Sequence, residues 1–186
     1  MAKIFCIANQ KGGVGKTTTC VNLAAGLAKI GQRVLLVDLD PQGNATMGSG
    51  LDKRQLDPNV YDVLLENASV AETRKRSELG GYDVLGANRD LAGAEVELVN
   101  LERNRLRLKS ALAAVDADYD LVLIDCPPSL SLLTLNGLCS AHGVLVPMQC
   151  EYFALEGLTD LVNTIKQVHG NLNADLKVIG LLRVMY

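Results

Sequence analysis

Long apolar runs are missing from this sequence of 186 residues. Strongly apolar stretches such as Val34 to Val37 and Leu121 to Ile124 are far shorter than the roughly 20 residues that a membrane-spanning helix needs. The N-terminal segment MAKIFCIANQKGG has no apolar core of the kind found in secretory signal peptides. The sequence therefore predicts a cytoplasmic protein that does not bind a membrane.

Closely spaced cysteine pairs are also missing. The five cysteines are an odd number and form no CxxC pair, and most of them lie inside apolar segments. Such thiols are typical of free, buried cysteines in a reducing compartment rather than of disulfides or metal ligands. The cysteines are Cys6, Cys20, Cys126, Cys139 and Cys150. His142 and His169 are isolated in the sequence, and we assign them no chemistry.

Positive charge is not in excess, because the sequence has 18 Lys and Arg residues against 21 Asp and Glu residues, which gives a net charge of −3. Nucleic-acid binding would therefore require a local patch or a segment outside this chain. One basic stretch holds Arg103, Arg105, Arg107 and Lys109, with i,i+4 spacing on a predicted helix. A solvated helix face is the preferred interpretation, and a partner or anion site is the alternative.

What the sequence does contain is a regular alternation of short apolar runs and longer helical patterns, without a linker or a repeat. Uniformly apolar strands are typical of parallel sheets that are covered on both faces. Gly31 predicts a helix end, and Ser69 with Glu72 predicts a capping box. The predicted strands are Ile4 to Ala8, Val34 to Leu39, Tyr82 to Leu85, Leu121 to Ile124, Val144 to Pro147 and Val178 to Leu182. The predicted helices are Thr17 to Ile30, Asn59 to Glu66, Leu91 to Val115, Leu130 to Ser140 and Leu155 to Val168.

This alternation predicts an α/β fold with a doubly wound, mostly parallel sheet. The length predicts that residues 1–186 form a single domain. Ligands of such folds bind at the carboxyl ends of the strands. The segments that follow successive strands are NQKGGVGKTT, DLDPQGN, DCPPS and MQCEYF, which gather glycines, hydroxyls, lysines and acids at one edge.

A phosphate-binding loop is predicted between the first strand and the first helix. Glycines let successive backbone N–H groups face phosphate oxygens, and the helix N-terminus adds partial positive charge. Lys16 would reach the β- and γ-phosphates of a nucleotide, and the Thr17 hydroxyl would bind Mg²⁺. The predicted nucleotide-binding residues are Gly12, Gly13, Val14, Gly15, Lys16, Thr17 and Thr18.

The loop departs from the usual pattern GxxxxGK[ST] at its start. Gln10 stands at the first glycine position, and Lys11 adds a second lysine to the loop. Lys11 is either a solvated surface charge or a group that reaches a phosphate, including one in a partner subunit.

Three acids follow the apolar strands. Asp38 and Asp40 are two residues apart, so strand alternation predicts that they face the same side. Either acid could hold the water shell of a metal ion or orient an attacking water, although an Asp before Pro41 is also common in simple turns. Asp125 closes the run Leu121 to Ile124, which is the Walker-B arrangement that presents a carboxylate to Mg²⁺.

The segment KGGVGKTT resembles the deviant Walker-A ATPases, which include ParA-type partition proteins, MinD and the nitrogenase iron protein. Lys11 matches the signature lysine of that group. The segments LLVDLDPQGNAT, LVLIDCPPSL and CEYFALEGL resemble the ParA/Soj branch in particular, and the resemblance covers essentially the whole chain.

The resemblance implies an ATP-dependent switch in which a homodimer encloses two nucleotides and Lys11 of each subunit crosses to the phosphates of the other. It implies catalytic roles for Lys11, Lys16 and Asp40, with Asp40 positioning the hydrolytic water. Thr17, Asp40 and Asp125 would bind Mg²⁺ or its water shell, and the segment 126–130 would form the second switch region.

The resemblance also implies a ParB-like centromere-binding partner, non-specific DNA binding and a role in chromosome or plasmid partitioning at the nucleoid. Relatives usually continue beyond the last predicted strand with segments for adenine and DNA contacts, so we expect this chain to lack those elements. The alternatives are a MinD-like cargo-positioning ATPase, a non-hydrolysing binding module, a nitrogenase-type reductase and a small-molecule kinase. The end LKVIGLLRVMY predicts a strand rather than the amphipathic membrane helix that MinD would need.

Overall fold

The computed structural model describes residues 1–149 and 154–184. Its strands are β1 (Lys3–Ile7), β2 (Val34–Asp38), β3 (Lys75–Ser77), β4 (Tyr82–Leu85), β5 (Leu121–Asp125), β6 (Gly143–Gln149) and β7 (Lys177–Val184). Its α-helices are α1 (Lys16–Lys29), α2 (Asn44–Gly48), α3 (Val60–Leu64), α4 (Val70–Thr73), α5 (Leu91–Val99), α6 (Arg107–Ala113), α7 (Leu132–Ser140) and α8 (Ala154–Asn171), and a 3₁₀ helix covers Lys53–Gln55.

The seven strands form one sheet in the order β3-β4-β2-β5-β1-β6-β7. Every neighbouring pair is parallel except β3 with β4. Helix α1 packs on one face through Cys20 and Ala24, whereas the larger core on the other face includes Leu91, Leu98 and Leu108 from α5 and α6. The predicted doubly wound α/β fold is therefore confirmed.

The predicted helix over Leu91 to Val115 is wrong in its middle. Helix α5 ends at Val99 and α6 begins only at Arg107. Arg103 lies between them with φ = 52°, a left-handed conformation that an α-helix does not contain. The i,i+4 relation proposed for the basic stretch is therefore wrong, and Arg107 instead pairs with Glu66 at 3.0 Å.

Several local signals acted as predicted. Gly31 follows α1 with φ = 88°, and the N–H groups of Gly31 and Gln32 close the helix on Ala28 and Leu27. The capping box of Ser69 and Glu72 is present at the start of α4. The expected helix over Asn59 to Glu66 is shorter, because Asn59 caps α3 from outside it.

Strand β7 differs from the expectation of a strand covered on both faces. Val178, Ile179 and Leu181 are about half exposed, and β7 lies at the edge of the described sheet next to β6. Helix α2 and strand β3 were not predicted, since elements of five and three residues carry little periodic signal.

Candidate nucleotide-binding site

The phosphate loop connects β1 to α1 at the carboxyl edge of the sheet. Gly13 and Gly15 have φ angles of 72° and 81°, and Gly12 and Gly13 have open space where a side chain would stand. The left-handed conformation favours glycine at positions 13 and 15. This backbone leaves room for phosphate groups next to the N-terminus of a helix of 14 residues.

Lys16 is buried at the first position of α1, with 7% of the residue exposed. Its Nζ donates a hydrogen bond to the backbone carbonyl of Lys11 at 2.8 Å. Burial lowers the pKa of Lys16, although the negative charge of Asp125 acts in the opposite direction. The ammonium therefore lies inside the loop with a neutral carbonyl as its hydrogen-bond acceptor.

Thr17 and Asp125 meet at the centre of the site. The Thr17 hydroxyl donates to Asp125 Oδ2 at 2.7 Å, and Asp125 Oδ1 is buried without a hydrogen-bond partner among the described residues. Burial, together with the neighbouring charge of Asp38, raises the pKa of Asp125 to about 7. A buried carboxylate oxygen without a donor is suited to a cation or to the water bound by one.

Asp38 lies directly opposite Asp125 in the parallel pairing of β2 with β5. It is completely buried and accepts three hydrogen bonds, from the Asp40 N–H at 3.0 Å and from the N–H and hydroxyl of Thr46 at 2.9 and 2.8 Å. Burial raises the pKa of Asp38 to about 6, against the effect of these bonds. Its carboxylate therefore ties the loop after β2 and the helix α2 to the end of β2 by hydrogen bonds.

Asp40 does not belong to the second strand, which ends at Asp38. Strand alternation therefore does not set the direction of Asp40, since it applies only within a strand. Asp40 Oδ1 accepts the Gln42 N–H at 2.9 Å, and the Gly43 N–H donates to the Asp40 carbonyl at 2.8 Å. Asp40 thus begins a tight turn beside the phosphate loop, and its negative charge contributes to raising the pKa of Asp125.

Asn9 is a site residue that the sequence analysis missed. Its side-chain amide donates to the Pro147 carbonyl on β6 at 2.7 Å, and its carbonyl oxygen accepts the Lys11 N–H at 3.1 Å. The backbone of Lys11 is therefore held on both sides, by Asn9 and by Lys16. A polar residue directly after a buried strand was the available signal.

The remaining predicted residues have simpler surroundings. Lys11, Gly12, Gly13 and Thr18 are exposed at the loop surface, and Val14 is buried. Four cysteines are free and buried as expected, and Cys150 lies outside the described residues. The segment CEYFALEGL also begins outside them. No helix in the described part of the chain is long and apolar enough to cross a membrane.

These residues fit a magnesium-bound nucleoside polyphosphate. The loop offers backbone N–H groups and the Lys16 ammonium to phosphates, and Thr17 with Asp125 offers oxygen ligands of the kind that Mg²⁺ prefers. Fold and site together define the class of phosphate-loop nucleotide-binding α/β proteins.

Comparison with known proteins gives the family. The family model described as an AAA domain matches residues 2–178. The sporulation initiation inhibitor protein Soj of Bacillus subtilis is 54% identical over all of this chain and 73% of its own length. The chromosome partitioning protein ParA of Caulobacter vibrioides is 50% identical over 99% of this chain and 70% of its own length. The chain belongs to the AAA domain family and, within it, to the ParA/Soj partitioning ATPases.

A crystal structure from Mycobacterium smegmatis supports the fold and the ligand. It is described as cobyrinic acid a,c-diamide synthase with bound ADP and magnesium, and it is 47% identical with a TM-score of 0.97. The match covers 100% of this chain and 76% of that protein. The same protein was also crystallised with an ATP analogue and magnesium.

Proposed function

We propose that this chain binds Mg-ATP at the carboxyl edge of the sheet and hydrolyses it to ADP and phosphate as a dimerising switch in DNA segregation. The observation that carries the proposal is the contact between the Thr17 hydroxyl and Asp125, beside a buried Asp125 oxygen without a described partner. An arrangement of this kind is completed by a cation that bridges to phosphate oxygens.

Each residue has a separate role in this proposal. Lys16 holds the β- and γ-phosphates, Thr17 binds Mg²⁺ directly, and Asp125 binds it through water. Mg²⁺ supplies positive charge to the phosphate oxygens when it is bound. Asp40 orients the attacking water. To do so, its carboxylate must give up the hydrogen bond that it accepts from the Gln42 N–H in this structure.

Lys11 is the residue that links assembly to turnover. It is exposed at the loop surface, which is where a partner subunit could meet it. We propose that Lys11 of each subunit reaches the phosphates of the other, so that the site gains its last cation only in the dimer. A cation delivered at that moment stabilises the charge of the transferred phosphoryl group.

The proposed partners are those that the family suggests. ParA- and Soj-named relatives support a ParB-like activator and a DNA cargo for this chain. The net charge of −3 favours DNA binding by a local surface rather than by the whole molecule. We also propose that residues 1–186 act as one domain.

The deciding experiment is light scattering of the Asp40→Ala chain with and without Mg-ATP, combined with phosphate release by the wild-type chain. We expect the nucleotide to shift the molar mass from 19.9 kDa to twice that value, because the variant holds ATP without hydrolysing it. An Asp40→Ala chain that also carries Lys16→Ala is the control and should stay monomeric. A monomer under all conditions, or wild-type turnover in the Asp40→Ala chain, would contradict the proposal.

The description of the Mycobacterium smegmatis structure names a different reaction that can be separated by the same assay. A switch ATPase releases phosphate without any carboxylic acid acceptor. Phosphate release that appears only when cobyrinic acid and an ammonia source are added would instead favour the synthase function.

A further inference from the structure

A cavity of about 520 Å³ lies beside the turn that carries Asp40 and is separate from the phosphate loop. Three chain segments line it: the loop after β2 with Pro41 and Gln42, the 3₁₀ helix with Lys53 and Arg54, and the loop after β4 with residues 88–90. A volume of this size is within the range of ligand-binding pockets, about 300 to 1,000 Å³. We call this cavity the cationic pocket.

The charge of the cationic pocket is opposite to that of the chain. Lys53, Arg54 and Arg89 line it together with one acid, Asp90, so its net charge is +2, whereas the chain carries −3. Arg54 and Arg89 are exposed and form no ion pair with any described residue. Their guanidinium groups can therefore bind carboxylates in the bidentate geometry that arginine favours.

The cationic pocket is connected to the Asp40 turn through Lys53. The Lys53 ammonium donates to the Gln42 carbonyl, and the Lys53 stem lies over Gly43, where an added Cβ would come within 2.9 Å of Lys53 Cδ and 2.6 Å of the Ala87 carbonyl. The Gln42 N–H in turn donates to the Asp40 carboxylate at 2.9 Å. One residue, Gln42, therefore contacts both the pocket lysine and the proposed water-positioning acid.

We infer that the cationic pocket binds a short acidic segment of a partner protein. A long polyanion would extend beyond the pocket onto a chain of net negative charge, whereas a short segment needs only the local charge. Asp90 distinguishes a peptide from a bare phosphate, because a carboxylate can accept a peptide N–H but repels phosphate. Pro41 adds an apolar contact for the stem of a glutamate side chain.

Occupation of the pocket changes the Asp40 turn. A carboxylate that draws the Lys53 ammonium away from the Gln42 carbonyl loosens the residue that holds Asp40 Oδ1. The acidic segment would then alter the rate of phosphate release, a consequence that rests on the proposed ATP hydrolysis. Binding itself does not rest on it.

The test is a calorimetric titration of the whole chain with a short synthetic peptide of alternating glutamate and aspartate, at low salt. We expect the Arg54→Gln/Arg89→Gln chain to bind at least about tenfold more weakly than wild type, because two charge-assisted contacts are lost. Arg105→Gln removes an exposed arginine outside the pocket and should bind like wild type. The corresponding peptide of glutamine and asparagine should not bind.

Parallel titrations use inorganic phosphate, pyrophosphate and a double-stranded oligonucleotide. Equal binding of the acidic peptide to the wild-type and the Arg54→Gln/Arg89→Gln chains would overturn the inference. Binding of phosphate or of the oligonucleotide without binding of the peptide would overturn it as well. If the peptide binds as expected and wild type releases no phosphate, the pocket stands and the proposed hydrolysis fails.

Discussion

Charged side chains gather at both ends of the central strands, but their surroundings differ. At the amino ends, Arg33 and Asp120 precede β2 and β5 and pair at 2.7 Å in an exposed position. The hydrogen bond with Arg33 lowers the pKa of Asp120 to about 2. At the carboxyl end of the same β5, burial raises the pKa of Asp125 to about 7. One strand is thus flanked by two aspartates with opposite shifts.

The comparison distinguishes charges that form ion pairs within the chain from buried charges in a candidate ligand site. The pairs at the amino ends are complete within the chain, since Arg33 and Arg74 each have a carboxylate partner. At the carboxyl edge, Lys16 has a carbonyl acceptor and one Asp125 oxygen has no described partner. Buried ionisable groups whose hydrogen bonding is incomplete are costly to folding, so their presence at this edge indicates a functional site.

Lys16→Ala should have the largest effect on this comparison. We expect at least about a 100-fold loss of Mg-ATP affinity, because the phosphates lose their buried cation. The unfolding free energy without nucleotide should stay the same or rise, since a buried ammonium is removed. Calorimetry and urea unfolding measure the two quantities. Lys29→Ala, at the exposed end of α1, is the matched control. If Lys16→Ala bound Mg-ATP as tightly as wild type, Lys16 would not be the residue that holds the phosphates.

Lys11→Ala tests whether an exposed lysine of the carboxyl edge acts across subunits. We expect ATP binding by the monomer to remain within about threefold of wild type, and dimer formation and phosphate release to fall at least about 100-fold. Nucleotide binding, light scattering and phosphate release measure these outcomes. A Lys11→Ala chain that still dimerises and turns over would show that this lysine is only a solvated charge.

Asp125→Asn tests how much the buried carboxyl group destabilises the folded chain, through the pH dependence of the unfolding free energy. The folded pKa of about 7 lies above the unfolded value of about 3.9, so the folded chain binds the extra proton and its stability falls as pH rises through about 7. At pH 8 and without nucleotide, we expect the variant to be more stable by about 4 kcal/mol, and the gain to vanish below pH 4. Urea unfolding across this range measures it. A gain in unfolding free energy that is independent of pH would contradict the raised pKa of Asp125.

Tyr119→Phe tests the paired network near the start of β5 and should have the smallest effect. The Tyr119 hydroxyl donates to Asp83 at 2.7 Å and accepts from Arg74 at 2.7 Å. Its removal should lower the unfolding free energy by about 1 kcal/mol and leave nucleotide affinity unchanged. Urea unfolding and ATP titration at pH 7 measure this. A change in ATP affinity would show that the two ends of the sheet are coupled.

Much of the site could be predicted because its chemistry is local in sequence. The strand, the glycines, Lys16, Thr17 and the first helix are consecutive, so backbone sterics and helix geometry determine the phosphate loop without distant contacts. Asp125 was predictable because an acid after four apolar residues ends a buried strand. The break at Arg103 was not, since apolar residues recur on both sides of it, at Leu98, Leu101 and Leu108, and so favour one long helix.

The sequence alone determined the alternation of strands and helices, the phosphate loop and the acids at the ends of β2 and β5, because each depends on residues next to one another. Only the tertiary structure decided that Asp38 lies opposite Asp125, that Thr17 contacts Asp125, and that Asn9 donates to the Pro147 carbonyl. It also decided that Lys53, Arg54 and Arg89 share one cavity. These relations join residues that are distant in sequence, and strand order and packing bring them together.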